Sequence, residues 1–130
     1  MHTIVQPDGW KPPKGYANAV LAEGRTLFLG GQIGWNGDQV FETHDFIGQM
    51  EQALRNIVAL VEAAGGRTSD IVRLTWFVTD KKEYVARQRE VGEAYRRVMG
   101  KHFPAMSVVV VAGLIEDAAL IEIEATAVLS

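Results

Sequence analysis

The sequence predicts an α+β domain in which two helices cover one face of a mixed β-sheet. Two long segments repeat apolar residues at three- and four-residue spacing, as one-sided helices do. Several shorter segments are continuously apolar or alternate with a period of two, as strands do. The predicted order is β-β-β-α-β-α-β-β in two layers. With 130 residues, 48% of them hydrophobic, the chain is expected to form a single domain, residues 1–130, around one core.

The first three predicted strands lie in the N-terminal third of the chain. A lead-in loop rich in proline and glycine, residues 7–16, precedes apolar runs at 17–22 and 26–31. Gly24 lies between these runs and permits a tight connection, so the two strands are expected to form an antiparallel hairpin. An Asn-Gly turn signal then precedes a short third strand at residues 39–41.

The two helices are predicted from their spacing and from the signals at their ends. Residues 43–64 place apolar side chains on one face, and a Gly-Gly pair that begins at Gly65 ends this helix. Asp80 is followed three residues later by Glu83, which resembles a capping box. The second helix is therefore expected to begin there and to continue to Gly100.

Three further strands, at residues 70–79, 107–112 and 119–129, complete the predicted sheet. In the last of them, alternation puts Glu122 and Glu124 on the same face, about 7 Å apart. A partly desolvated carboxylate of this kind can activate a water molecule in a cleft. The alternative is a solvated strand face, and spacing alone leaves both interpretations open.

Composition excludes several classes of function. The chain has 13 Lys+Arg against 16 Asp+Glu, a net charge of −3, which does not favour a nucleic-acid-binding surface. Cysteine is absent, which excludes disulfides, thiolate metal sites and cysteine nucleophiles, and the spacing of His2, His44 and His102 predicts no metal site. No segment resembles a signal peptide or a membrane span, so a cytoplasmic protein that binds no membrane is expected. A sheet with one uncovered face favours oligomerisation.

Four features have two interpretations each. The glycine-rich run 30–34 follows a strand and indicates either a close backbone approach to a ligand or a structural bend. Trp35 is either a core or subunit-contact residue or a ligand platform, and Tyr16 in the lead-in loop is equally open. The arginines of the second helix, Arg89 among them, are expected on a solvated face unless one of them points into a cleft.

Several short motifs follow one another along the chain. They are Gly31-Gln32-Ile33, Glu62-Ala63-Ala64-Gly65, Asp70-Ile71-Val72-Arg73, Phe77-Val78-Thr79-Asp80, Phe103-Pro104-Ala105 and Ile121-Glu122-Ile123-Glu124-Ala125. With these motifs in this order, the chain from Tyr16 to Val128 resembles the Rid family, the YjgF-type reactive intermediate deaminases. The resemblance implies a fold similar to chorismate mutase and a homotrimer with three clefts between neighbouring subunits. It also implies hydrolysis of a reactive enamine or imine to a carbonyl compound and ammonia, without a cofactor.

Position 106 departs from the family pattern. In deaminating members an arginine follows Pro-Ala and pairs with the substrate carboxylate, whereas Met106 offers neither charge nor hydrogen-bond donor. Val108 stands where the family often has cysteine. A one-residue length difference leaves a family asparagine aligned between Gln88 and Arg89, and Arg89 is a candidate replacement for the missing guanidinium.

Other positions carry over from the resemblance. Glu122 matches the family glutamate that orients or activates the attacking water, so Glu122 rather than Glu124 is expected to face the cleft. Tyr16 matches a tyrosine that lines the cleft, and Gly31 lies on the strand whose backbone meets the substrate. Glu122 is the expected catalytic residue, and the expected substrate-binding residues are Tyr16, Gly31, Gln32, Trp35, Arg89, Met106 and Val108.

Two functions remain open at this stage. The first is an enamine or imine deaminase whose substrate is larger and more apolar than the usual small 2-imino acid, with 2-aminomuconate-like compounds as examples; Met106, Val108 and Trp35 suit such a pocket. The second is a non-catalytic trimer that binds or senses a small molecule. Glu122 favours the first and Met106 the second. A ribonuclease would require positive charge and a catalytic constellation that the sequence does not display.

Overall fold

The computed structural model describes residues 2–130 and contains a four-stranded mixed sheet with helices packed on one of its faces. This arrangement confirms the predicted two-layer α+β class. A separate two-stranded ribbon precedes the main sheet. The elements are β1 (His2–Val5), β2 (Ala19–Ala22), β3 (Arg25–Ile33), α1 (Phe46–Ala63), a 3₁₀ turn (Thr68–Asp70), β4 (Ile71–Val78), α2 (Lys81–Ala86), α3 (Gln88–Met99), β5 (Ala105–Val110) and β6 (Ile121–Leu129).

The strand order of the main sheet is β3-β6-β4-β5, so the last strand of the chain lies inside the sheet. β4 and β5 run parallel, and the other neighbours run antiparallel. A bulge between Leu29 and Gln32 interrupts the pairing of β3 with β6. The core lies between the sheet and helices α1 and α3; its most deeply buried side chains include Met50, Leu54, Ile57, Leu74, Val78, Ile121 and Ile123.

Helix α1 agrees with its sequence signals. The side chain of Asp45 caps the helix by accepting a hydrogen bond from the Gly48 amide at 3.2 Å. Beyond the other end, Gly65 adopts a positive φ of 88°, which glycine allows at low cost. Within residues 2–130, no helix has both the length and the apolar character needed to cross a membrane.

The predicted hairpin around Gly24 is wrong. β2 pairs with β1 instead, and β3 pairs with β6 from the far end of the chain. Gly24 has a φ of 143°, and a β-carbon there would lie 2.9 Å from the carbonyl carbon of Leu129. Glycine is therefore required because the chain passes close to the end of β6, and not because a hairpin turns there.

The predicted third strand at residues 39–41 is also wrong, although the turn signal before it is real. The side-chain oxygen of Asn36 accepts hydrogen bonds from the amides of Asp38 and Val40, and Gln39 has a positive φ of 60°. The segment that follows pairs with no strand among the described residues. It leads as a loop into α1.

The predicted second helix is divided into α2 and α3. Asp80 caps α2, as expected, by accepting a hydrogen bond from the Glu83 amide at 3.0 Å. The helix is interrupted at Arg87, where φ is −111° and ψ is 27°. The Arg87 guanidinium pairs with Asp45 at 2.8 Å and with Glu90 at 2.7 Å. This ion-pair cluster fastens the junction of α2 and α3 to the start of α1.

Candidate functional site

The residues predicted to form one site are divided between the two faces of the sheet. On the face covered by helices, Met106 of β5 lies beside Leu74 of β4, and Val108 lies beside Trp76. Alternation along the strands places the side chains of such pairs on one side of the sheet. Met106 and Val108 therefore belong to the helix side, where they line a cavity together with Trp76.

The opposite face, which no helix covers, is here called the open face. Glu122 of β6 lies beside Phe77 of β4, and Glu124 lies beside Thr75. Both carboxylates belong to this face, as the alternation predicts. Phe28 lies on the same face and is 80% exposed, which is unusual for a large aromatic side chain in a sheet.

The cavity on the helix side, here called the aromatic pocket, has a volume of about 460 Å³. It lies between the lead-in loop, β4, β5 and the α2–α3 segment. Of the predicted site residues, it brings together Tyr16, Met106 and Val108. Of the two helix positions left open by the alignment, Gln88 lines the pocket and Arg89 does not.

Stacked rings form one wall of the aromatic pocket. Trp76 stacks on Tyr95 with ring centroids 6.1 Å apart, and Tyr95 stacks on Phe103 at 5.3 Å. The Tyr95 hydroxyl donates a 2.6 Å hydrogen bond to the carbonyl oxygen of His102, and burial raises the pKa of Tyr95, so this phenol stays neutral. Trp76 is 2% exposed, and its buried Nε1 donates to no acceptor within residues 2–130.

On the open face, the Glu122 carboxylate lies directly against Gly31. A β-carbon at position 31 would lie 2.6 Å from Cδ of Glu122 and closer still to Oε2, so a larger residue there would displace this side chain. Glu122 is half-buried, and within the described chain its carboxylate accepts no hydrogen bond and forms no ion pair. The structure thus brings together Gly31 and Glu122 and leaves the carboxylate available to a ligand or a water molecule.

Glu124 lies in a different environment on the same face. It is exposed and borders a shallow hollow of about 360 Å³ with Arg73, Thr75 and Phe28. Neither Glu124 nor Arg73 has an ion-pair partner among residues 2–130. Of the two carboxylates, Glu122 alone packs over the glycine-containing bulge of β3.

Three predicted site residues lie in neither place. Trp35 packs against Phe41, with ring centroids 5.7 Å apart. Gln32 is half-buried and donates a 3.3 Å hydrogen bond to the carbonyl oxygen of Gly30. The side chain of Arg89 is 93% exposed, pairs with Glu93 at 3.2 Å and does not line the aromatic pocket.

Sequence reasoning missed Arg96 and Gly92 as pocket residues. Gln88, Gly92 and Arg96 follow one another at four-residue spacing, so they form a single stripe of α3, and all three line the aromatic pocket. This spacing was readable from the sequence. It was hidden because Arg96 belongs to a cluster of charges that resembles an ordinary solvated helix face.

The charges at the two places differ in sign. Lys14 and Arg96 line the aromatic pocket, which has no carboxylate among its described lining residues, whereas Glu122 and Glu124 lie on the open face. Within residues 2–130, no three acidic or histidine side chains come together as a set of metal ligands. The arrangement therefore places two cations around the pocket on one side of the sheet and two carboxylates, with Arg73, on the other.

Comparison with known proteins agrees with this architecture. The family model described as Endoribonuclease L-PSP matches residues 8–129. A RutC family protein from Haemophilus influenzae is 37% identical over 128 residues, which cover 98% of this chain and 95% of the relative. A 2-iminobutanoate/2-iminopropanoate deaminase from Escherichia coli is 39% identical over 108 residues, or 81% of this chain and 80% of the relative.

A solved structure matches the fold along almost the whole chain. It is YyfB from Yersinia pestis, a protein of unknown function of the conserved Rid family, with a TM-score of 0.87 and 31% identity; the match covers 98% of each chain. Similarity in sequence and in structure thus extends over almost the whole chain. The chain belongs to the Rid family, also called the YjgF or RutC family.

Proposed function

We propose that this protein hydrolyses a reactive enamine or imine to a carbonyl compound and ammonia, with Glu122 as the catalytic residue. The observation that carries the proposal is the unpaired Glu122 carboxylate packed over Gly31. Relatives of this chain named as 2-iminobutanoate/2-iminopropanoate deaminases support the same reaction class.

The chemistry asks for one group that can accept and return a proton. The imine nitrogen first takes a proton from solvent, and a water molecule held by the Glu122 carboxylate then adds its oxygen to the iminium carbon while Glu122 accepts one water proton. The resulting carbinolamine collapses when Glu122 returns that proton to the amine nitrogen and the hydroxyl proton passes to solvent, so the C–N bond breaks and ammonia leaves. An enamine first takes a proton on carbon and becomes the imine. The net change is addition of water and release of ammonia.

A site that uses both Glu122 and the aromatic pocket requires a second copy of the chain, because the two lie on opposite faces of one sheet. The open face suits such a contact, since it carries the exposed Phe28 and the unpaired Arg73 and Glu124. We propose a homotrimer in which the Glu122 side of one subunit faces the aromatic pocket of its neighbour. Cyclic symmetry repeats the same contact and gives three clefts.

The composition of the aromatic pocket favours a substrate other than the usual small 2-imino acid. Met106 provides an apolar, adaptable surface where the family has an arginine. Tyr16, Tyr84 and the stacked wall extend this surface. The pocket thus suits a larger and less polar body than that of 2-iminopropanoate.

Ammonia release tests the proposal directly. The purified protein is given freshly generated 2-iminopropanoate and, separately, an aminomuconate. The Glu122→Gln variant keeps the shape of the side chain but removes its basicity, and its rate is expected to fall about 100-fold or more. The matched control is Glu124→Gln, two residues along the same strand face, which is expected to retain its rate within about threefold.

The mass of each variant in solution is measured alongside its rate. A trimeric Glu122→Gln protein with full turnover would remove Glu122 from the mechanism. If the intact wild-type trimer releases no ammonia from either compound, the deaminase proposal fails and the second candidate takes its place. That candidate is a small-molecule-binding or sensing trimer, and the observation in its favour is the uncharged Met106 at the family's carboxylate-binding position.

A further inference from the structure

We infer that Arg96 holds the carboxylate of the ligand and that the ligand has a flat, conjugated or aromatic body. The inference rests on the proposed function for the reacting group, an enamine or imine, and on the aromatic pocket itself for everything else. It assigns to Arg96 the anion-binding role that Met106 lacks. The substrate class is an imino or enamine acid with an aryl or conjugated side chain.

Arg96 is the arginine of α3 whose guanidinium is free. Arg89 pairs with Glu93 at 3.2 Å, and Arg97 pairs with Glu51 at 2.8 Å. Within the described part of the chain, Arg96 forms no ion pair and no hydrogen bond through its side chain. It lines the aromatic pocket, and a bidentate pair with a carboxylate would satisfy its planar group of donors.

The guanidinium of Arg96 lies beside Gly92. A β-carbon at residue 92 would lie 3.5 Å from Nη1 and 3.9 Å from Nη2 of Arg96, so the Arg96 side chain folds back across this glycine. Glycine weakens the interior of a helix, and Gly92 has an ordinary helical φ that does not require it. An alanine would make only ordinary contact with the guanidinium, whereas a larger side chain would compete with it for space.

The rest of the pocket determines the kind of anion. Lys14 adds a second positive charge, and no carboxylate lines the cavity within residues 2–130. The accessible aromatic rings at the cavity belong to Tyr16, Tyr84 and Phe103, and they favour a planar body over a small polar one. A volume of about 460 Å³ has room for a ring in addition to the reacting carbon and its carboxylate.

Calorimetric titration tests the assignment without turnover. The probes are trans-cinnamate, which is flat, conjugated and anionic, and its uncharged amide. Wild-type protein is expected to bind cinnamate about tenfold or more tightly than the amide, and Arg96→Gln is expected to lose this preference. The matched control, Arg89→Gln, removes the same charge from the same helix outside the pocket and is expected to bind cinnamate as the wild type does.

A second variant tests whether binding requires the free space beside Arg96, without removing its charge. Gly92→Leu places a side chain where Arg96 now lies, and it is expected to weaken binding of both probes while circular dichroism shows the helix content unchanged. Three results would overturn the inference: equal affinity for cinnamate and its amide, an equal loss in Arg89→Gln and Arg96→Gln, or no cinnamate binding by the wild type.

The binding assay and the ammonia assay fail independently. Arg96-dependent cinnamate binding without ammonia release from any imine would overturn the deaminase and leave the ligand class standing. Glu122-dependent ammonia release from 2-iminopropanoate that is unaffected by Arg96→Gln would leave the deaminase standing and overturn the role of Arg96.

Discussion

The two faces of the main sheet differ in whether a single chain forms a closed cavity on them. The helix side contains a concave pocket with a stacked aromatic wall, two positive charges and a buried tyrosine whose hydroxyl is already bonded. The open face is shallow, exposes Phe28 and carries Arg73, Glu122 and Glu124 without ion-pair partners in the described chain. A single chain can recognise a ligand on the first face but cannot enclose one on the second.

In the proposed mechanism, this difference places ligand binding on one face of the sheet and the proton-accepting carboxylate on the other. A ligand that enters the aromatic pocket of one chain meets no general base there, because Glu122 lies on the other face. In the proposed trimer, a neighbouring subunit supplies the base. Binding and turnover are therefore expected to respond differently to changes on the two faces, and the variants below test that separation.

The largest effect is expected from a charge at Phe28, on the edge strand β3 of the open face. Phe28→Asp places a carboxylate where a neighbouring chain would bury an aromatic ring, and desolvating it opposes assembly. The trimer is expected to dissociate and kcat/KM to fall about 100-fold or more. Cinnamate binding is expected to persist within about tenfold, since the aromatic pocket belongs to one chain. Mass in solution, ammonia release and calorimetry measure the three outcomes.

Val85→Asp is the control for that variant. Val85 is also an exposed apolar residue, but it lies on α2, away from the open face. Its variant is expected to remain trimeric and active. A monomeric Phe28→Asp protein with undiminished turnover would show that one chain suffices for catalysis.

The second prediction displaces the catalytic carboxylate without removing it. In Gly31→Ala the added methyl group collides with the Glu122 side chain, which must move away from its present position. A misplaced base of this kind lowers kcat by about 10- to 100-fold. In the neighbouring Gly30→Ala control, a β-carbon meets no atom within 4 Å, and kcat is expected to stay near that of the wild type. Equal rates in the two variants would contradict the contact between Gly31 and Glu122 as a determinant of turnover.

A gain of activity is expected when the pocket receives the family's arginine. Met106→Arg adds a bidentate carboxylate donor to the helix side, and kcat/KM for 2-iminopropanoate is expected to rise about tenfold. Met106→Lys supplies the charge without the planar fork, so a smaller gain is expected. Ammonia release measures both. A folded, trimeric Met106→Arg protein with no gain would mean that the pocket differs from the family's in more than this residue.

The smallest effect concerns the ion pairs of the helix layer. Hydrogen bonds from Arg87 lower the pKa of Asp45 and of Glu90, whose ordinary values are 3.8 and 4.5. Burial acts to raise the pKa of Glu51, but hydrogen bonds from Arg55 and Arg97 outweigh it and lower that pKa as well. Since these folded-state values lie below the unfolded ones, the stabilisation is present above about pH 4.5 and is lost as the pH falls through the folded values.

Thermal unfolding between pH 3 and pH 7 checks this sign. Arg87→Gln is expected to lower Tm by about 2 °C at pH 7, because exposed ion pairs contribute little, and by less in acid. Arg89→Gln, which removes an arginine that is 93% exposed from its pair with Glu93, serves as the comparison and is expected to change Tm less. A deficit in Arg87→Gln that grows as the pH falls would contradict the linkage.

Local sequence patterns predicted the helices and most of the strands. They did not predict which strands pair when the partners lie far apart in the sequence. The cap at Asp80 and the stop at Gly65 follow from short-range hydrogen bonding and backbone geometry, which a few adjacent residues specify. The hairpin at Gly24 failed because β3 pairs with β6, about 100 residues away, and adjacency in sequence carries no information on that contact. The break at Arg87 depends on Asp45, which belongs to another helix.

The family motifs identified the residues of the candidate site on the open face. The residues of α3 that line the aromatic pocket were missed, although their four-residue spacing is present in the sequence. Glu122 and Gly31 came from the family resemblance, and the structure places them in contact. Arg89 was chosen as the spare guanidinium because of its position in the alignment, yet its side chain points to solvent. Arg96 lies seven residues further along α3, in register with Gln88 and Gly92, but a charged residue on an amphipathic helix resembles solvated surface until a cavity is seen beside it.

The ring stack also gives the protein an optical property. Trp76 is held rigidly between packed neighbours, with Tyr95 at 6.1 Å, and fixed aromatic side chains of this kind produce near-ultraviolet circular dichroism. Trp10 is exposed in the lead-in loop, and Trp35 packs on Phe41 outside the pocket, so neither lies against the entering ligand. A ligand that shifts this packing when it enters the aromatic pocket is expected to change the near-ultraviolet circular dichroism, so occupancy can be followed without a label.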